Sequence, residues 1–246
     1  MKNWIIIAVS WYNLRDQDNI QNPQIDIFIL KQVAKSKRVL YIPTASHDNL
    51  DYYANFRRVY ADILGCTVTP LYLYSCKYSK KELKDILNQH DLVYVGWGNT
   101  IQMLKKWRTV GFERVLRDYY QDWGVVAGMS AWASCWFSYG ITDDMKYCSA
   151  IGLIGHCFRP HYIQEQENEI QRKLSKKYVG TTFAFSDHTA YIRKNGEDMV
   201  WVFKDQLQQE VFYRNKHKLI AEKFILDKGV YTIKSSLAWV TFQKAS

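Results

Sequence analysis

Short apolar runs separated by amphipathic segments constrain this chain more than any other feature. Trp4 to Val9, Val39 to Ile42, Thr67 to Leu73, Leu92 to Val95 and Val125 to Met129 mostly lack polar alternation, as strands covered on both faces do. Between them, Asn49 can cap a helix in which Tyr53, Phe56, Tyr60, Ile63 and Leu64 recur at helical spacing, with Gly65 placed to end it. Ser79-Lys80-Lys81-Glu82 reads as a capping box opening a second helix through Leu83, Ile86 and Leu87. The expectation is an α/β fold with a mostly parallel, doubly wound sheet, which places ligands at the carboxyl ends of its strands.

From about Thr181 the pattern changes to short strand-like pieces: Thr181 to Phe185, Tyr191 to Arg193, Met199 to Phe203, Val230 to Ile233 and Ala238 to Phe242. These read as a C-terminal antiparallel extension of the same sheet. With 246 residues, 48% of them hydrophobic, and no linker rich in Gly, Pro or Ser, one domain spanning 1–246 is expected. The aromatic tail from about Asn195 to Ser246 is a candidate for covering a sheet edge or for a homodimer contact.

The opening apolar run is followed by the polar Trp11 to Asn19 rather than by a small-residue cleavage site, so it reads as a buried strand and not a signal. No apolar stretch approaches the roughly 20 residues needed to cross a bilayer, and no membrane association is expected. Cys66, Cys76, Cys135, Cys148 and Cys157 are odd in number and widely spaced, which suggests reduced thiols in a cytoplasmic protein. The formal charge of +9 raises nucleic-acid binding, but the Lys and Arg residues are scattered without a compact basic block, so no nucleic-acid partner is expected. No carboxylate and histidine cluster has metal-ligand spacing and no phosphate-binding loop occurs, so neither a metal nor another cofactor is expected.

Three turns could carry chemistry. Gly128-Met129-Ser130-Ala131-Trp132 follows an apolar strand and precedes the helix-compatible Ala131 to Phe137. A strand, sharp turn and helix would lift the Ser130 hydroxyl above the sheet and aim a helix N-terminus at it; the alternative is a structural turn. Gly96-Trp97-Gly98-Asn99-Thr100 ends another strand, where glycines can present N–H groups to an oxyanion; the alternative is a βα turn with Asn99 or Thr100 capping the next helix. Arg159-Pro160-His161-Tyr162 precedes the helical Gln164 to Lys177 and offers a histidine whose pKa suits a general base; the alternative is a surface histidine.

In order and spacing these turns resemble the peptidase E and cyanophycinase family of serine peptidases. Val39 to Ser46 is similar to the early strand and loop of that family, Gly96 to Thr100 to its G-G-G-N-T turn, and Gly128 to Ala133 to its G-x-S-A-G-A elbow. Pro160-His161-Tyr162 is similar to its P-H-Y or P-H-F segment, and Ser186 to Ala190 to a later acidic turn, so the resemblance spans roughly Val39 to Ile192. It implies a three-layer α/β/α sandwich akin to class I glutamine amidotransferases, a small peptide substrate, and hydrolysis of a peptide or isopeptide bond. Ser130 would be the nucleophile and His161 its base, with backbone N–H groups near Gly98 and Ala131 holding the oxyanion. The third triad member would be Asp187, with Asp144 the alternative, and Arg159 could meet a substrate carboxylate.

The chain departs from that pattern where Trp97 and Trp132 replace glycines and where Ser10-Trp11-Tyr12-Asn13 replaces a glycine-rich loop. An indole adds roughly 150–250 Å² of surface, so the pocket is expected to be narrowed, reshaped or plugged. Two readings follow: a peptidase whose aromatics stack on substrate, or a non-catalytic relative with a tryptophan-occluded site that binds a small ligand or partner. Cys135 and Trp136 are expected in the core, and His47 is a candidate for lining the cleft.

Overall fold

A computed structural model describes residues 4–10, 24–33, 36–122, 124–176, 180–215, 218–235 and 240–245. The five apolar runs become strands β1 (Ile5–Val9), β2 (Arg38–Ile42), β3 (Thr67–Pro70), β4 (Leu92–Val95) and β5 (Val125–Met129). The protein is of the mixed α/β class, with helices, a large mostly parallel sheet and antiparallel strands. The chain divides into two compact units, residues 1–7 with 13–129, and residues 8–12 with 130–246.

In the first unit the strand order is β1-β5-β4-β2-β3, with β2 parallel to β3 and β4, and β4 parallel to β5. Strands β1, β4 and β5 are buried along their whole length, whereas β3, at the sheet edge, alternates between exposed and half-buried. The helices are α1 (Gln24–Lys31), α2 (Leu50–Arg57), α3 (Lys80–Asn88), α4 (Thr100–Thr109) and α5 (Phe112–Gln121). Asn49 caps α2 by accepting from the Tyr52 N–H at 3.0 Å. Ser79 and Glu82 form the reciprocal capping box of α3. Helix α2 runs into a π-helical turn, Arg58–Ile63, which brings Tyr60 onto Phe56 with ring centroids 4.2 Å apart. Phe56 stacks at the same distance on Tyr41 of β2, so one aromatic column ties helix to sheet.

In the second unit the strands are β6 (Phe137–Ile141), β7 (Tyr147–Ser149), β8 (Ile154–Arg159), β9 (Thr182–Phe185), β10 (Thr189–Lys194), β11 (Glu197–Val202), β12 (Leu207–Asn215), β13 (Lys218–Leu226), β14 (Gly229–Ser235) and β15 (Val240–Lys244). Strands β10, β11, β14 and β15 form an antiparallel series. The remaining six lie in the order β13-β12-β9-β8-β6-β7, with β6, β8 and β9 mutually parallel. Helix α6 (Glu167–Lys176) places Ile170 and Leu174 in a core with Ile141, Cys157, Tyr162, Ala184 and Phe212.

Two expectations change here. The segment Ala131 to Phe137 is not an α-helix. It forms two 3₁₀ turns, Ser130–Trp132 and Ser134–Trp136, and then enters β6. The carbonyls of Cys135, Trp136, Phe137 and Ser138 accept from the N–H groups of Ile151, Leu153, Gly152 and Ala150 at 2.8–3.0 Å. The connection between β7 and β8 takes the carbonyls that would have served a helical ladder, so no α-helix dipole points at Ser130. The late strands, moreover, do not all extend one sheet. β9 joins the six-stranded sheet, together with the long hairpin β12 and β13, which the apolar pattern did not reveal.

Candidate active site

Strand β5 ends at Met129, and Ser130 follows with φ of +65°. A non-glycine residue in this region carries about 1–3 kcal/mol of strain and persists only where its surroundings hold it. The Ser130 N–H is held by the Ser10 carbonyl at 3.0 Å, and its own carbonyl accepts from the Ala133 N–H at 2.9 Å. The resulting elbow leaves Ser130 8% exposed, sheltered but reachable.

His161 arrives from β8 through Pro160, again at positive φ, +54°. Its N–H donates to Ser10 Oγ at 2.9 Å. Tyr162, next in the chain, anchors this turn. Its N–H donates to the Phe185 carbonyl at 3.1 Å, its ring packs in the α6 core, and its hydroxyl donates to Glu210. The imidazole is thereby delivered to the elbow, with His161 Nε2 2.6 Å from Ser130 Oγ.

Asp187 lies in the turn between β9 and β10, and its Oδ1 is 2.8 Å from His161 Nδ1. A carboxylate can only accept, so Nδ1 carries the proton and Nε2 is left to accept from the Ser130 hydroxyl. The turn is braced from β12. Buried Gln209 accepts from the Ser186 N–H at 3.1 Å and donates to Ser186 Oγ and Thr189 Oγ1, both at 3.0 Å. Asp144 is placed elsewhere, accepting from the Thr142 hydroxyl and pairing with Lys146 at 2.6 Å.

The other candidates have defined places. Asn99 is the N-cap of α4, its side chain accepting from the Gln102 N–H and its own N–H donating to the Ala45 carbonyl at 2.9 Å. Gly98 has φ of +141°, and a Cβ there would lie 2.3 Å from the Ala45 oxygen, so the turn requires glycine. Trp97 rests on Tyr52, centroids 4.7 Å apart. Gly98, Asn99 and Trp97 belong to the first unit, as does His47, which stacks on Tyr74. In the second unit Trp132 has no exposed surface, so this indole fills the core instead of presenting a face to a ligand. Cys135 and Trp136 are fully buried as well. Ala131 follows Ser130 within the first 3₁₀ turn. Arg159 is 1% exposed, its guanidinium engaged by Asp143 at 2.7 Å and Gln166 at 3.1 Å. Trp11, Tyr12 and Asn13 lie outside the described residues.

Comparison with known proteins gives this geometry a family. The model of peptidase family S51 matches residues 7–201. The chain belongs to peptidase family S51. This S51 chain is 30% identical over 224 residues to the uncharacterized peptidase YgaJ of Bacillus subtilis strain 168, covering 89% of the chain and 90% of that protein. In solved structures its fold is similar to a peptidase from an acI-B1 Actinobacterium, with TM-score 0.61, 15% identity and 90% and 96% of the two chains covered. It is also similar to a Listeria monocytogenes EGD-e protein assigned as a peptidase E, with TM-score 0.56, 19% identity and 81% and 98% covered. The family resemblance read from the turns is thus borne out.

Two residues of this candidate site had no role assigned to them from the sequence. Ser10 follows the first apolar run and figured only as the start of the stretch that replaces a glycine-rich loop, with no role of its own. Gln209 lies in a strand that the apolar pattern did not reveal. Beside the site, burial pushes the Glu210 carboxyl up to about 7, with Lys223 opposing the shift. Among the described residues, no helix is long and apolar enough to cross a membrane and no group of three His, Cys, Asp or Glu side chains could hold a metal ion.

Proposed function

We propose that this S51 chain is a serine peptidase that hydrolyses a peptide or isopeptide bond in a small peptide, with Ser130 as nucleophile and His161 as general base. The observation that carries the reading is the continuous hydrogen-bonded series from Ser130 Oγ through the imidazole to Asp187, at 2.6 and 2.8 Å. Both distances lie within the reach that proton transfer demands.

In this reading Ser130 Oγ attacks the scissile carbonyl carbon as its proton passes to Nε2 of His161. Asp187 holds the Nδ1 proton and stabilises the imidazolium. The Ala131 N–H, next after the nucleophile, is the proposed donor to the oxyanion, a type of contact whose loss costs about 10²–10³ in rate. Collapse of the tetrahedral intermediate expels the amine, which takes the proton from Nε2. Water then attacks the acyl-enzyme and gives its proton to Nε2, and departure of the acid restores Ser130. The proposed reaction needs no cofactor. Five widely spaced cysteines, four of them buried, support a reducing, cytoplasmic setting.

The test is hydrolysis of a library of dipeptides and short peptides, read by mass spectrometry, for the parent protein and for Ser130→Ala. Cleavage by the parent alone is expected. Equal cleavage by both would remove Ser130 from the mechanism, and cleavage by neither would favour a ligand-binding member of the family.

A further inference from the structure

We propose that Ser10 is a positioning residue that sets the geometry of Ser130, His161 and Asp187 together, an inference that rests on the serine peptidase reading. Ser10 follows β1, is fully buried, and bonds to the backbone of Ser130, of His161 and of the two residues that bracket Asp187, Phe185 and Thr189. Its carbonyl accepts from the Ser130 N–H at 3.0 Å, and its N–H donates to the Thr189 carbonyl at 2.7 Å. Its hydroxyl donates to the Phe185 carbonyl at 2.8 Å and accepts from the His161 N–H at 2.9 Å.

A hydroxyl has one proton and two lone pairs. Donation to Phe185 commits the proton and orients a lone pair toward His161. Phe185 and Thr189 flank Asp187 at two residues on either side, so the same serine grips both ends of the turn that carries the carboxylate. Ser130 and His161 both stand at positive φ, where a non-glycine residue is held only by its surroundings, and Ser10 takes the N–H of each. No atom of Ser10 is bonded to a reacting atom. It acts through backbone placement, for which a 1 Å error can cost about 10²-fold in rate.

Ser10→Ala removes the two hydroxyl bonds and keeps the two main-chain bonds, so it releases His161 and one end of the Asp187 turn. The experiment is labelling of Ser130 with a fluorophosphonate, in which the P–O bond forms at Oγ and fluoride departs. Intact-protein mass spectrometry gives both the rate constant and the final labelled fraction, and peptide hydrolysis gives kcat and KM separately. The rate constant and kcat of Ser10→Ala are expected to fall about 10- to 100-fold, with KM changed less than about twofold because remote substrate contacts are untouched.

A role in stability alone would lower the labelled fraction at a parental rate constant, and that result would overturn the proposal. If Ser10→Ala does not fold, Ser10→Cys takes its place. It nearly keeps the shape and offers only a weak donor and acceptor, so its rate constant is expected below the parent's, and a parental value overturns the proposal equally. A parent protein that is neither labelled at Ser130 nor able to hydrolyse peptides removes the peptidase reading itself, and the role of Ser10 with it. Parental labelling matched by the variants removes only Ser10.

Discussion

Asp187 accepts the Nδ1 proton of His161 at 2.8 Å, from a turn held at both ends by buried neighbours. Asp144, the other carboxylate considered for this role, spends its oxygens on Thr142 and Lys146. Asp187→Asn keeps the shape but can donate to Nδ1, which favours the wrong imidazole tautomer. Its kcat/KM for peptide hydrolysis is expected to fall on the order of 10³–10⁴, and that of Asp144→Asn to stay within about twofold of the parent. A large loss in Asp144→Asn with none in Asp187→Asn would reverse the assignment.

Arg159 is turned to Asp143 and Gln166 and is almost fully buried, although the sequence made it a candidate for meeting a substrate carboxylate. Arg159→Ala is expected to lower stability by about 1–3 kcal/mol in urea unfolding, because a buried guanidinium and its packing are lost while exposed Asp143 rehydrates. The ratio of kcat/KM between Asp-containing and neutral dipeptides should not change. A selective loss on the acidic substrates would return Arg159 to the binding pocket.

Glu210 pairs in register with Lys223 and accepts from Tyr162, yet burial raises its carboxyl to about 7. A raised carboxyl binds its proton more tightly folded than unfolded, so folding stability falls as pH rises from the ordinary carboxylate range through about 7 and then levels. A displacement of this size corresponds to roughly 3 kcal/mol. Glu210→Gln keeps an acceptor for Tyr162 without the charge, and its stability between pH 5 and 8 should show a shallower decline. Parallel curves for the two proteins would contradict the assignment.

Gly98 and Gly65 both stand at positive φ but in different surroundings. A Cβ on Gly98 meets the Ala45 carbonyl oxygen at 2.3 Å, whereas one on Gly65 meets nothing within 4 Å. Gly65→Ala is expected to cost about 1 kcal/mol, the backbone term alone, and Gly98→Ala at least about 2 kcal/mol, strain and overpacking together. Chemical denaturation of the two variants measures the difference. Equal losses would mean that the approach to Ala45 relaxes freely.

The legible part of the site was the part written in local chemistry. Gly128 to Ser130 ends an apolar strand, Pro160-His161 precedes a helix-compatible stretch, and Ser130 and His161 both arrive at positive φ as elbow and turn residues do. The choice between Asp187 and Asp144 was not legible, because both stand in acidic turns and only strand pairing determines which turn reaches His161. The helix expected after Ser130 failed for a related reason. Ala131 to Phe137 suits a helix locally, but the N–H groups of residues 150–153 claim its carbonyls.

Taken alone, the sequence determined the parallel strands, the Asn49 and Ser79 caps, the glycine-bearing turn at 96–100 and the candidate nucleophile and base, because periodicity, capping and turn chemistry act over a few residues. Tertiary structure alone decided the six-stranded sheet, the burial of Trp132 and Arg159, and the convergence of Ser10, Ser130, His161 and Asp187. Those depend on hydrogen bonds and packing between residues as many as 175 positions apart, and no local pattern encodes which distant donor will find which acceptor.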